Sequence, residues 1–138
     1  SHALQNCPPE QIVNAYDNSV RYADHFIAKT VNWLQAQHRP TALMYVSDHG
    51  ESLGEKGLFL HGMPYSMAPK EQIHVPMLVW LSRPMQQQRG WAVSCLTAQS
   101  AKPLSHDNLF HSLLGLAQVG TGLAKPELDI FAGCANPR

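Results

Sequence analysis

Six almost wholly apolar residues, Thr41 to Val46, run directly into Ser47-Asp48-His49-Gly50-Glu51. A run that is apolar on both faces suits a strand inside a sheet rather than one with a wet side. An acid and an imidazole then stand where the strand stops, the place where open α/β sheets put their ligands. Adjacent side chains point to opposite faces of a regular strand. The backbone must therefore turn at Asp48 if both groups are to reach one ligand, and Gly50 is placed to allow that turn. The pattern predicts a metal-centred site of which this chain holds a part.

The flanking sequence predicts an α/β domain. Upstream, Pro8-Pro9-Glu10 resembles a helix start. Ile12, Tyr16, Val20, Ala23, Ile27, Val31 and Leu34 then fall at steps of three and four, one stripe of an amphipathic helix. Such a helix would be close to 40 Å long at 1.5 Å per residue, so a kink or an early end is expected, and His38-Arg39-Pro40 stops it. Downstream, residues 48–70 hold Gly50, Gly54, Gly57, Gly62, Pro64 and Pro69. This is a glycine-punctuated loop of the kind that bears function on a rigid scaffold. Ile73 to Ser82 reads as a second strand buried on both faces, with Pro76 near its start. Arg83 to Gly90 reads as a surface turn, and Trp91 to Leu96 as a short strand. Ser105 caps a last helix whose buried face is Leu109, Phe110, Leu113, Leu114 and Ala117, ended by Gly120 and Gly122. Gly133 and Pro137 mark an irregular tail.

Ten basic and ten acidic residues cancel, and the absence of a basic stripe argues against a nucleic-acid surface. The longest apolar run, Val75 to Leu81, contains a proline and falls far short of the roughly 20 residues a membrane span needs. No leader peptide is expected at the start of the chain. Cys7, Cys95 and Cys134 form no CxxC pair. They read either as three buried thiols or as one internal bridge, Cys95 with Cys134 being the better pair, plus an unmatched half-cystine from an oxidising compartment.

Asp48 offers carboxylate oxygen and His49 imidazole nitrogen, a mixed set suited to zinc. A catalytic zinc takes three protein ligands and keeps an open position, so further ligands must come from elsewhere. His61, in Leu60-His61-Gly62, is the internal candidate for a nearby role because the loop can fold back. Glu51 can accept from a neighbouring histidine and orient it. The competing roles are a loop cap for Asp48 and Glu51, a satisfied buried histidine for His49, and a structural loop residue for His61. His74, His106 and His111 read as structural, and His2, His25 and His38 as solvent-facing.

These residues form an ordered set with Tyr16-Asp17-Asn18, Ser52-Leu53-Gly54-Glu55, Pro64-Tyr65, Val75-Pro76 and Ser105-His106-Asp107-Asn108-Leu109-Phe110-His111. From Cys7 to Cys134 the chain resembles the lipid A phosphoethanolamine transferases, including the mobile colistin-resistance enzymes, within the alkaline phosphatase and sulfatase superfamily. The resemblance implies a three-layer α/β/α fold, here the C-terminal part of a periplasmic catalytic domain over residues 1–138. The parent enzyme would be anchored in the inner membrane of a Gram-negative bacterium. It implies Zn2+ held by Asp48 and His49, together with a glutamate and a nucleophilic threonine. It gives His61 a place beside the substrate phosphate and Glu51 a place next to that site. Phosphatidylethanolamine and lipid A are the implied substrates. The glutamate, the threonine and a further substrate-side histidine lie earlier in the family's sequences than this chain begins, as does the partner of Cys7. The chain is therefore expected to need the other half of the catalytic domain, or a self-association replacing it.

Overall fold

The computed structural model describes residues 4–134; His2 and Pro137 lie outside them. The described residues form an α/β structure of two compact units, one ending at Trp80 and the other beginning at Leu81.

The first unit opens with helix α1, Pro9–Gln35. It runs 27 residues without interruption, against the expected kink, because its interior holds neither proline nor glycine. The predicted stripe is its better-covered side: Ile12, Tyr16, Ala23, Ile27, Val31 and Leu34 are half-buried, whereas Val20 is exposed. Past the helix end, His38 takes a left-handed backbone conformation (φ 51°), and the Gln37 amide donates to the Trp33 carbonyl at 2.9 Å. Both features close the last turn.

Among the described residues, strand β1, Ala42–Val46, pairs only with β4, Met77–Leu81. The second strand is shorter than expected. Lys70–Ile73 forms a helical turn, α2, and Pro76, which has no N–H to give a ladder, falls just before the strand. The expected burial on both faces is not reached among the described residues. Every residue of β1 is half-buried, and Leu78 and Val79 of β4 are 48% and 38% exposed. Two strands that have only each other leave faces and edges uncovered. Between them, Ser52–Leu53 (β2) and Phe59–Leu60 (β3) make a small antiparallel ribbon, Ser52 opposite Leu60 and Leu53 opposite Phe59.

The second unit is helical. Arg83–Arg89 is helix α3 rather than a surface turn. Ser82 Oγ accepts the Met85 N–H at 3.2 Å, a proline sits in the first turn, and Gly90 closes the end in the left-handed region (φ 64°). Trp91–Leu96 is not a strand, since Val93–Gln99 forms helix α4. Cys95 on that helix is bonded to Cys134, and the Ala92 N–H donates to the Cys134 carbonyl at 3.0 Å. Covalent and hydrogen-bond ties thus decide between helix and strand for a short apolar run that suits either. Trp91 and Phe131 stack with ring centroids 4.5 Å apart and form the buried apolar centre.

Helix α5, Asp107–Ala117, begins where expected, with Ser105 Oγ accepting the Asp107 N–H at 3.2 Å. Gln118, in the left-handed region, ends it before either glycine. Its buried residues are polar: Asn108 and Ser112, while Phe110 and Leu113 are exposed. The reason is the irregular segment it packs against. Asn108 Nδ2 donates to the Leu128 carbonyl at 2.9 Å and Ser112 Oγ accepts the Ile130 N–H at 3.1 Å. Backbone groups outside a helix or sheet must find side-chain partners when buried. Among the described residues, no helix is long and apolar enough to cross a membrane.

Asp129 lies against α5 so closely that a Cβ on Gly115 would overlap its carboxylate. Burial pushes the Asp129 carboxyl above its ordinary value of 3.8, against the opposing effects of the Phe131 and Ala132 amides and of His111. Between 3.8 and that raised value the unfolded chain gives up its proton first, so this group's contribution to stability falls as pH rises through that window. Asp129→Asn, which keeps the shape and cannot ionise, is expected to flatten the fall. Urea midpoints taken across the acid range test this, and parallel pH profiles for the two proteins would contradict it.

Candidate metal centre

Asp48 and His49 sit just past the end of β1, at the chain's exit from the sheet. The backbone is held there from both sides. The Ser47 N–H donates to the Pro76 carbonyl at 3.4 Å, and the Gly50 N–H to the Gln72 carbonyl at 3.0 Å. Gly50 is not in a left-handed conformation, so its role differs from the turn expected of it. A Cβ at this position would collide with the Glu71 carbonyl oxygen. The absence of a side chain is what lets the two backbones approach. Ser47 Oγ donates to the His49 carbonyl at 2.8 Å and Asp48 Oδ1 accepts the His49 N–H at 3.1 Å, so the turn is fixed by its own polar side chains.

The imidazole of His49 is oriented by its neighbours. Its Nδ1 lies 3.1 Å from the Gly50 carbonyl oxygen, which can only accept, so Nδ1 carries the proton and Nε2 keeps a lone pair. That Nε2 lies 3.8 Å from Asp48 Oδ2. Pinning one ring nitrogen on a carbonyl to aim the other at an ion is how metal-binding histidines are held. The Asp48 side chain is 89% exposed.

On the other side of the ring, the glycine-rich loop does fold back. The β2–β3 ribbon returns His61 to Glu51, with His61 Nδ1 2.8 Å from Glu51 Oε1, and the His49 and His61 rings stack at 3.6 Å. His49, Glu51 and His61 can each offer one ligand atom such that all three lie within 4.8 Å of one another, a cluster capable of coordinating a metal. Asp48 lies outside that trio, reaching only His49. The trio, two imidazoles and one carboxylate, is a donor set of the kind zinc takes. Glu51 Oε2 is buried without a hydrogen-bond partner among the described residues, an oxygen that a cation would satisfy.

The other described histidines stand apart from this trio. His111 Nδ1 accepts the Lys125 N–H at 3.1 Å, a structural contact. His25, His38 and His74 are exposed. Gln72, which no motif or periodicity singles out, is 5% exposed and bonds to Ser52 and Gly50, next to the cluster.

The trio just past β1 is the chain's candidate ligand cluster, and residues 2–119 match the sulfatase family, to which the chain belongs. Phosphoethanolamine transferase EptA of Salmonella typhimurium is 46% identical over 137 residues, covering 97% of this chain and 25% of that protein. Phosphatidylethanolamine transferase Mcr-1 of Escherichia coli is 41% identical over 118 residues, 84% of this chain and 20% of that protein. The soluble domain of lipooligosaccharide phosphoethanolamine transferase A from Neisseria meningitidis superposes with a TM-score of 0.93 at 39% identity, over 99% of this chain and 42% of that one. The C-terminal periplasmic domain of EptC from Campylobacter jejuni gives 0.86 at 37% identity, over 99% and 44%. The chain thus spans between a fifth and a quarter of the length of these curated relatives. Within the sulfatase family, both sequence and fold match the lipid A phosphoethanolamine transferases, whose soluble domain has this α/β architecture.

Proposed function

We infer that the protein bearing this chain transfers phosphoethanolamine from phosphatidylethanolamine to lipid A through a phosphorylated threonine. The family resemblance places that threonine in a part of the protein preceding these residues. The convergence of His49, Glu51 and His61 just past the inner strand, in a chain this similar to phosphoethanolamine transferases, supports the reading most directly. Asp48 and His49 would hold zinc, with further ligands from the rest of the catalytic domain. When bound, that ion supplies positive charge beside the nucleophile and the phosphate oxygens.

The chain's own residues divide the remaining work. Glu51 fixes the His61 ring through Nδ1, leaving Nε2 to meet the substrate phosphate. The threonine hydroxyl gives up its proton to solvent as its oxygen bonds to phosphorus, and the bond to the glyceride oxygen breaks. His61 Nε2 is the group placed to give that oxygen its proton. A lipid A oxygen then takes the phosphoethanolamine and frees the threonine, which requires ping-pong kinetics. The catalytic domain would face the periplasm from a membrane-anchored parent.

The sulfatase match keeps one second reading open, transfer to water by a phosphodiesterase or sulfatase. Incubating the complete protein with headgroup-labelled phosphatidylethanolamine, with and without lipid A, separates the two. Label on lipid A is the expected result. Release of free phosphoethanolamine at the same rate whether or not lipid A is present would replace transferase with hydrolase.

A further inference from the structure

His61 occupies a stretch of chain that does not hold its own shape. Leu60 before it and Gly62 after it both have positive φ, 64° and 106°. A bulky leucine adopts that conformation only when its surroundings impose it. The β2–β3 ribbon, two residues on each strand, ends at Leu60 itself. Something beyond the ribbon must fix where the chain goes next.

That something is Gln72. Its Oε1 accepts the Met63 N–H at 3.3 Å, two residues past His61. Its Nε2 donates to Ser52 Oγ at 2.9 Å, next to Glu51, and both of these side chains are buried. Its main-chain carbonyl accepts the Gly50 N–H at 3.0 Å, next to His49. One residue thus touches the immediate neighbours of His49 and Glu51 and the segment leaving His61. A primary amide is suited to this, with an acceptor and a donor on one short planar group.

We propose that Gln72 is a positioning residue of the site, the clamp that sets His61 against His49 and Glu51. Its role as part of a metal centre rests on the functional reading above. The clamp itself rests on the hydrogen bonds alone.

The test uses the complete protein with cobalt(II) as the probe, comparing wild type with Gln72→Leu and Ser52→Ala. Gln72→Leu fills similar space but makes neither side-chain bond. It is expected to lower the thermal midpoint modestly, to weaken cobalt affinity by about 10- to 100-fold, and to change the visible spectrum of bound cobalt. Ser52→Ala removes one arm and should shift affinity and spectrum the same way by less. Unchanged affinity and spectrum beside a lowered midpoint would reduce Gln72 to a filler of space and overturn the proposal. If Gln72→Leu does not fold, the same two readouts on Ser52→Ala decide. If wild type takes up no cobalt, the metal reading falls. Deuterium uptake of the peptide containing Met63 then judges the clamp, supporting it when faster in Gln72→Leu and refuting it when unchanged.

Discussion

His49→Ala in the complete protein is expected to remove bound zinc and transferase activity together. Both possible ligand groupings run through this one ring. Its lone-pair nitrogen, Nε2, faces Asp48 Oδ2 at 3.8 Å, and the ring itself stacks on His61 beside Glu51. Alanine deletes the nitrogen donor from either grouping. Loss of an outer-shell partner costs about 10- to 100-fold in affinity or rate, and losing a direct ligand should exceed that. Zinc content by elemental analysis and label transfer to lipid A are the two measurements. Normal occupancy with normal turnover would end the assignment of His49. Asp48→Asn and Glu51→Gln then separate the groupings, since the first should lower zinc content and the second should mainly slow transfer.

Gly50→Ala is expected to be the most damaging single methyl group in this chain's first unit. The new Cβ would meet the Glu71 carbonyl oxygen, and backbone cannot rotate away as a side-chain tip can. Overpacking of this kind costs typically about 1–3 kcal/mol. The affected segment also includes the Gly50 N–H bond to Gln72 and the residues on either side, His49 and Glu51. Activity should therefore fall further than the loss of folded protein explains. Gly120→Ala is the control: nothing lies within 4 Å of its built Cβ and its φ is not positive. It should be neutral or slightly stabilising through the unfolded chain. Equal thermal midpoints for the two variants would contradict the close approach.

The elements that sequence reasoning located are those with a long period or an unambiguous composition. Seven apolar positions along α1 drew its stripe, and six of them lie on its half-buried side. The uninterrupted apolar run of β1 located the strand and, with it, the place of Asp48 and His49. Helix α3 escaped because Met85-Gln86-Gln87-Gln88 has no apolar face to show a period. Its signals were at the ends: Ser82, Pro84 and Gly90 spell a capped helix. Helix α4 is hidden because Trp91 to Leu96 is a short apolar run broken only by Ser94, which suits strand or helix equally, and what fixes it is a bond to Cys134, 39 residues away. On α5 the apolar residues were taken as the covered face, whereas the neighbour it meets is bare backbone needing Asn108 and Ser112. At the site, adjacency revealed Asp48 with His49, but the meeting of His49, Glu51 and His61 depends on a two-residue ribbon and on Gln72. No periodicity reports such contacts.

The link between Cys95 and Cys134 also ties the helical unit to the redox state of its surroundings. The residues from Ala92 to Cys134 are drawn together by that bond and by the amide contact beside it. Such bonds persist where thiols are oxidised. A chain detained in reducing surroundings would present two thiols instead and forgo about 2–4 kcal/mol of stabilisation. The helical unit is therefore held most firmly where its two cysteines are oxidised.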